Sequence, residues 1–130
     1  FVEMTNVDSL AVSVGTAHGS YIGTPEINFE RLKEIYENVS IPLVLHGGSG
    51  AGEEGIRKAV SCGINKINVG ADILKAGRKK IYEELMENSD ADLFELMIKM
   101  EEACKEEIIR YLAFSGSEGW AEEIMKEATF

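Results

Sequence analysis

Two kinds of hydrophobic pattern alternate along the first half of the chain. Leu10-Ala11-Val12-Ser13-Val14, Ile41-Pro42-Leu43-Val44-Leu45 and Ile64 to Val69 are compact apolar runs, too short for helices, and each leads into a turn rich in glycine. Runs of this kind, rather than strict alternation, mark strands buried on both faces of a parallel sheet. Between them, Glu26 to Val39 places Ile27, Leu32, Ile35, Tyr36 and Val39 at helical spacing, and Glu53 to Ser61 does the same with Ile56, Ala59 and Val60 before closing on Gly63. The pattern therefore predicts strand, turn and crossover helix, repeated, with the turns at the C-terminal ends of the strands.

Beyond the third strand the period becomes helical throughout. Ile73, Leu74, Ile81 and Leu85 form one stripe. Leu93, Leu96, Met97, Met100, Cys104, Ile108 and Leu112 form a longer one after the turn-like Asn88-Ser89-Asp90. Ser115-Gly116-Ser117-Glu118-Gly119 interrupts the helix, and a short amphipathic piece around Trp120, Ile124 and Met125 follows. Three parallel strands cannot close a barrel and would leave two edges of unpaired backbone. The expected architecture is α/β, either a small open sheet or part of a (β/α)8 barrel, which takes about 250 residues.

Charge narrows the functional classes. The 130 residues hold 13 Lys and Arg against 23 Asp and Glu, a net −10, and that field disfavours nucleic acid and anionic membrane surfaces. It leaves phosphorylated small molecules open, because backbone N–H groups and a helix N-terminus bind phosphate locally. No apolar run reaches the ~20 residues of a membrane span, and no basic, signal-like start is present, so a cytoplasmic protein is expected. Cys62 and Cys104 show no metal-ligand or disulfide spacing and are expected to be buried fillers. The opening Phe1, within what reads as a helix end, suggests a fragment or a processed chain.

The candidate chemistry lies in the turns. His18 and His46, the two histidines of the chain, each follow a strand, one βα unit apart. Singly, each reads as a hydrogen-bonded structural residue. As a pair on adjacent parallel strands they also read as metal ligands, although a catalytic zinc takes about three protein ligands and no third is evident. Asp8 precedes its strand, and Asp72 falls in the first turn of a helix, where an acidic residue serves the helix dipole. Gly47-Gly48-Ser49-Gly50-Ala51-Gly52, running into a helix, reads as a phosphate cradle or as a flexible turn with a serine cap. Asn68-Val69-Gly70-Ala71-Asp72 is a second place for phosphate to dock.

Taken in order, Asp8 to Gly19, Pro42 to Gly50 and Gly63 to Val69 resemble the last three strands of the class II, metal-dependent ketose-bisphosphate aldolases, the family of the fructose- and tagatose-bisphosphate enzymes. The likeness continues into Ile108 to Trp120. It implies that residues 1–130 are the C-terminal half of an aldolase TIM barrel, about the last three strands plus the C-terminal helices, with strands one to about five absent. It further implies a carbohydrate-metabolism lyase of the glycolytic type that cleaves a ketose (bis)phosphate reversibly to dihydroxyacetone phosphate and an aldehyde. His18 and His46 would be two of three ligands to Zn²⁺ or another divalent ion. Gly19, Gly47 and Ser49 would contact substrate and phosphate, and Asn68 would hold the ketone or ene-diolate oxygens. The metal would polarise the substrate carbonyl.

Two positions depart from the family pattern: Ile22 replaces a lysine and Ala71 a threonine, both phosphate contacts. A charged hydrogen bond is worth ~1.5–3 kcal/mol, so these losses weaken a phosphate site. The resemblance implies a homo-oligomer, or association with the missing N-terminal half, and a 130-residue chain inactive by itself. The alternatives are a half-barrel that binds an anion or a partner without metal chemistry, and another phosphate-binding barrel such as an isomerase.

Overall fold

The computed structural model describes residues 1–17 and 25–127, and its contacts separate two units, Phe1–Asp72 and the residues from Ile73 onward. In the first unit a short helix, α1 (Val2–Thr5), precedes β1 (Leu10–Ala11), α2 (Phe29–Asn38), β2 (Leu43–Leu45), α3 (Gly52–Ser61) and β3 (Ile64–Ile67). The strands form a parallel sheet in the order β1-β2-β3, with Leu10 opposite Leu43 and Leu45 opposite Ile67. This is the expected α/β arrangement.

The central strand is the most buried, with Leu43 and Leu45 fully enclosed and Val44 nearly so. Leu32 of α2 and Ile56 and Ala59 of α3 are also fully buried, so each crossover helix spends its apolar stripe on this core. The ladder is shorter than the apolar runs, for identifiable reasons. Val12 still donates to the Val44 carbonyl at 3.2 Å, but the Val14 carbonyl is taken by the Asn28 N–H at 2.8 Å, which draws the chain away toward α2. Pro42 has no N–H to give and contributes its carbonyl to Leu10 at 2.9 Å. Between Leu43 and Val44 the register against β3 shifts, and the Asn65 side chain fills the gap by accepting from the Leu43 N–H at 3.0 Å.

Helix α2 begins where Asn28 accepts from the Arg31 N–H at 2.8 Å, three residues later than the periodicity suggested, because this cap fixes the first turn. Helix α3 begins at Gly52 without a side-chain cap.

Helix α4 (Ala71–Glu87) starts at the end of the first unit and runs into the second, which also contains α5 (Leu93–Ser115) and α6 (Trp120–Glu127). Asp92 caps α5 by accepting from the N–H groups of Phe94 and Glu95. Gly116, in a left-handed conformation, ends that helix, and Trp120 Nε1 donates back to its carbonyl at 3.0 Å. Gly77 of α4 lies so close to α5 that a methyl group there would sit 2.7 Å from Cys104 Sγ and 2.8 Å from Met100 Cγ. Both cysteines are half-buried, not fully buried as expected, and Cys104 Sγ donates to the Ile73 carbonyl at 3.4 Å. Much of the long α5 stripe stays exposed, including Leu93, Met97, Ile108 and Leu112, whereas Leu96 and Tyr111 are buried. No helix among the described residues is long and apolar enough to cross a membrane.

Candidate active site

The parallel ladder delivers two loops to the same end of the sheet. After β2 come His46 and the glycine-rich loop; after β3 come Asn68 and the start of α4. Pairing continues one residue past β3, where the Asn68 N–H donates to the Leu45 carbonyl at 3.0 Å. That bond sets Asn68 beside His46, and Asn68 Nδ2 donates to His46 Nε2 at 2.8 Å. Sequence reasoning placed both residues at strand ends; their direct contact is a finding of the structure.

The glycine loop is held by the residues that follow β3. Gly48 donates to the Asn68 carbonyl at 3.2 Å, and Gly50 donates to Asp72 Oδ2 at 2.6 Å. Ser49 is buried, and its Oγ accepts from the N–H groups of Gly70 at 3.2 Å and Asp72 at 3.4 Å. Ser49 therefore caps a helix, but the helix is α4 rather than the α3 that follows it in sequence. A serine hydroxyl has two lone pairs and one proton, so both acceptor positions are spent on the fold and the O–H remains as a donor. Asp72 is the residue whose part the sequence understated. It lies in the first turn of α4 as expected, yet its carboxylate is also the tie that closes the loop after β2. The spacing that places Asp72 one βα unit after Gly50 was visible, but nothing in it fixed the direction of the side chain.

Gly47 is required by both conformation and space. Its φ is +68°, and a Cβ there would lie 2.1 Å from the Ala17 carbonyl oxygen, so the loop after β2 passes hard against the end of the loop after β1. His18, Gly19 and Ile22 lie outside the described residues. Of the remaining expected site residues, the structure brings His46, Gly47, Ser49 and Asn68 into one cluster, with Asp72 added. Asp8 is exposed and precedes β1.

One strand-end imidazole with its Nε2 held by an amide suits a share of a divalent ion's ligand set. Among the described residues no group of three or more His, Cys, Asp or Glu side chains converges on a metal position.

A sequence profile for class II fructose-bisphosphate aldolase matches residues 1–120. The chain belongs to the class II fructose-bisphosphate aldolase family. It is 40% identical over 122 residues to the uncharacterized protein YdjI of Escherichia coli K12, a match covering 94% of this chain and 42% of that protein. The crystal structure of the YdjI aldolase superposes with a TM-score of 0.78 at 37% identity, covering 92% of this chain and 43% of that one. A putative fructose-1,6-bisphosphate aldolase from Coccidioides immitis gives 0.77 at 26% identity, covering 92% and 42%. The chain thus spans about two-fifths of the length of these aldolases, and its sheet and helices correspond to part of their fold.

Proposed function

We propose that this chain is the C-terminal half of a class II aldolase-type TIM barrel and supplies part of the metal site and the phosphate loop for reversible aldol cleavage of a ketose phosphate. The observation that carries the reading is the strand-end cluster: His46 and Asn68, 2.8 Å apart, border a glycine loop in a chain matched to the family over residues 1–120. His46 would hold a divalent ion together with His18 and a ligand from the remaining strands. When bound, such an ion supplies Lewis-acid polarisation of the substrate carbonyl.

The chain's own residues then orient the substrate. Asn68 offers two amide donors and one acceptor, so one bond to His46 leaves capacity for the oxygens of the ketose. Gly47 keeps the loop flush with Ala17, and the helix α3 terminus, which lacks a side-chain cap, adds partial positive charge for phosphate. The Gly50 N–H already serves Asp72. A phosphate held by Gly50 would displace that carboxylate, whereas one held by Gly47 and the start of α3 would not. Ala71, at the first position of α4, leaves this end of the site without the family's threonine hydroxyl.

Titration of zinc into the wild-type chain and into the His18→Ala/His46→Ala double variant tests the reading. Binding should be weak in the wild type, since two histidines leave a tetrahedral site short of ligands, and lost in the variant. Equal affinities would refute the shared site.

A further inference from the structure

The register shift in β3 decides which way a charged residue points. Leu43 pairs with Ile64 and Val44 with Lys66, so Asn65 is the extra residue of a bulge, held there as its side chain accepts from the Leu43 N–H at 3.0 Å. Side chains alternate between the faces of a sheet. Without the extra residue, Asn65 would stand opposite Val44, and Lys66 would turn to the face of Leu43 and Leu45. With it, Lys66 shares a row with Val44 and Ala11, directly below the row of His46 and Asn68.

The two faces of the sheet differ. Leu43, Leu45 and Ile64 are buried on one. On the other, Ala11 and Lys66 are exposed to either side of the buried Val44. In a closed barrel that second face is the interior, a packed core dominated by branched apolar side chains. An ammonium enclosed there needs an anion beside it, because a buried charge is tolerated only when paired. Among the described residues Lys66 forms no salt bridge, and the ion pairs of Arg31, Arg57, Lys79, Lys80 and Arg110 run along the helices. The Asp72 carboxylate is tied to Gly50, and the sequence from His18 to Thr24 contains no Asp or Glu. We infer that the rest of the barrel docks on this face through a carboxylate set opposite Lys66, carried at an inward-facing position of one of its strands. This rests on the half-barrel reading above and names the group that the other half presents to this one.

The test is calorimetric titration of the 130-residue chain with an N-terminal half taken from the Escherichia coli relative. Lys66→Met leaves the partner carboxylate buried and unpaired, and should weaken association by about a hundredfold or more. Lys66→Glu sets two carboxylates together and should weaken it further. Changing one inward Asp or Glu of the added half to Lys should then recover the affinity lost in Lys66→Glu. Lys33→Met, at an exposed position of α2, should leave association unchanged. Because Lys66 is exposed in the chain alone, urea unfolding of that chain should be nearly the same for wild type and Lys66→Met. Equal affinity for wild type, Lys66→Met and Lys66→Glu would overturn the inference and leave the half-barrel reading standing. A failure of every charge swap to restore binding would overturn it too, as would a loss of stability in the Lys66→Met chain alone as large as its loss of affinity. No association even of the wild-type chain would overturn the half-barrel reading, and the inference with it.

Discussion

Individual residues carry the most exposed claims. Gly47 holds φ at +68° against the Ala17 carbonyl, so Gly47→Ala meets both a disfavoured backbone region and a steric block. A loss of at least about 1–3 kcal/mol is expected in urea unfolding. Ser49 is the residue whose role shifts most between sequence and structure. As a phosphate ligand alone, Ser49→Ala would cost binding and leave folding intact. As the buried acceptor for Gly70 and Asp72, it should cost about 1–3 kcal/mol of stability, the penalty for leaving buried donors unpaired. Unfolding of the ligand-free chain separates the two. Asp72→Asn keeps an acceptor for Gly50 but removes the charge beside the loop, so inorganic phosphate should bind more tightly than to the wild type. Calorimetric titration measures this, and unchanged affinity would place phosphate away from Gly50. The sequence placed His46, Ser49 and Asn68 at strand ends because strand ends are readable from apolar runs and turns. Hydrogen-bond partners such as Asp72 for Gly50 were not readable, because they depend on side-chain direction.

At the scale of elements, the helices were legible nearly to their ends, since amphipathic period and glycine stops agree. The strands were less so. Val12 and Val14 are buried as their run predicts, but burial alone does not make a ladder once Asn28 captures the Val14 carbonyl. On α4, Lys80 and Glu84 lie one turn apart with 2.7 Å between charged atoms. Their hydrogen bond holds the Glu84 carboxyl below its ordinary pKa and the Lys80 ammonium above its own. The Glu84 contribution should therefore be present above the ordinary glutamate range and lost as pH falls through the lowered folded value. The Lys80 contribution should be present below the ordinary lysine range and lost as pH rises through the raised one. Thermal unfolding of wild type and Glu84→Gln should differ slightly at neutral pH and converge in acid and in high salt, as a surface pair requires. Gly77→Leu should be far more damaging, because even a methyl group meets Cys104 and Met100 at under 3 Å.

At the scale of the whole molecule, the chain spans about two-fifths of the length of the aldolases it matches. Among the described residues β1 and β3 each pair on one side only, and α5 exposes Leu93, Phe94, Met97 and Ile98, features that favour association. The barrel relationship could be taken from the sequence because three strand-end motifs fall in the family's order. A metal-ligand set could not, and among the described residues no group of three or more His, Cys, Asp or Glu side chains gathers to form one. The decisive measurement is cleavage of a ketose phosphate by the chain alone and after addition of an N-terminal half taken from the Escherichia coli relative. The account predicts no turnover by the chain alone, metal-dependent turnover by the mixture, and loss of that turnover with His46→Ala. Robust turnover by a demonstrated 130-residue monomer, or complemented activity indifferent to His46→Ala, would contradict it.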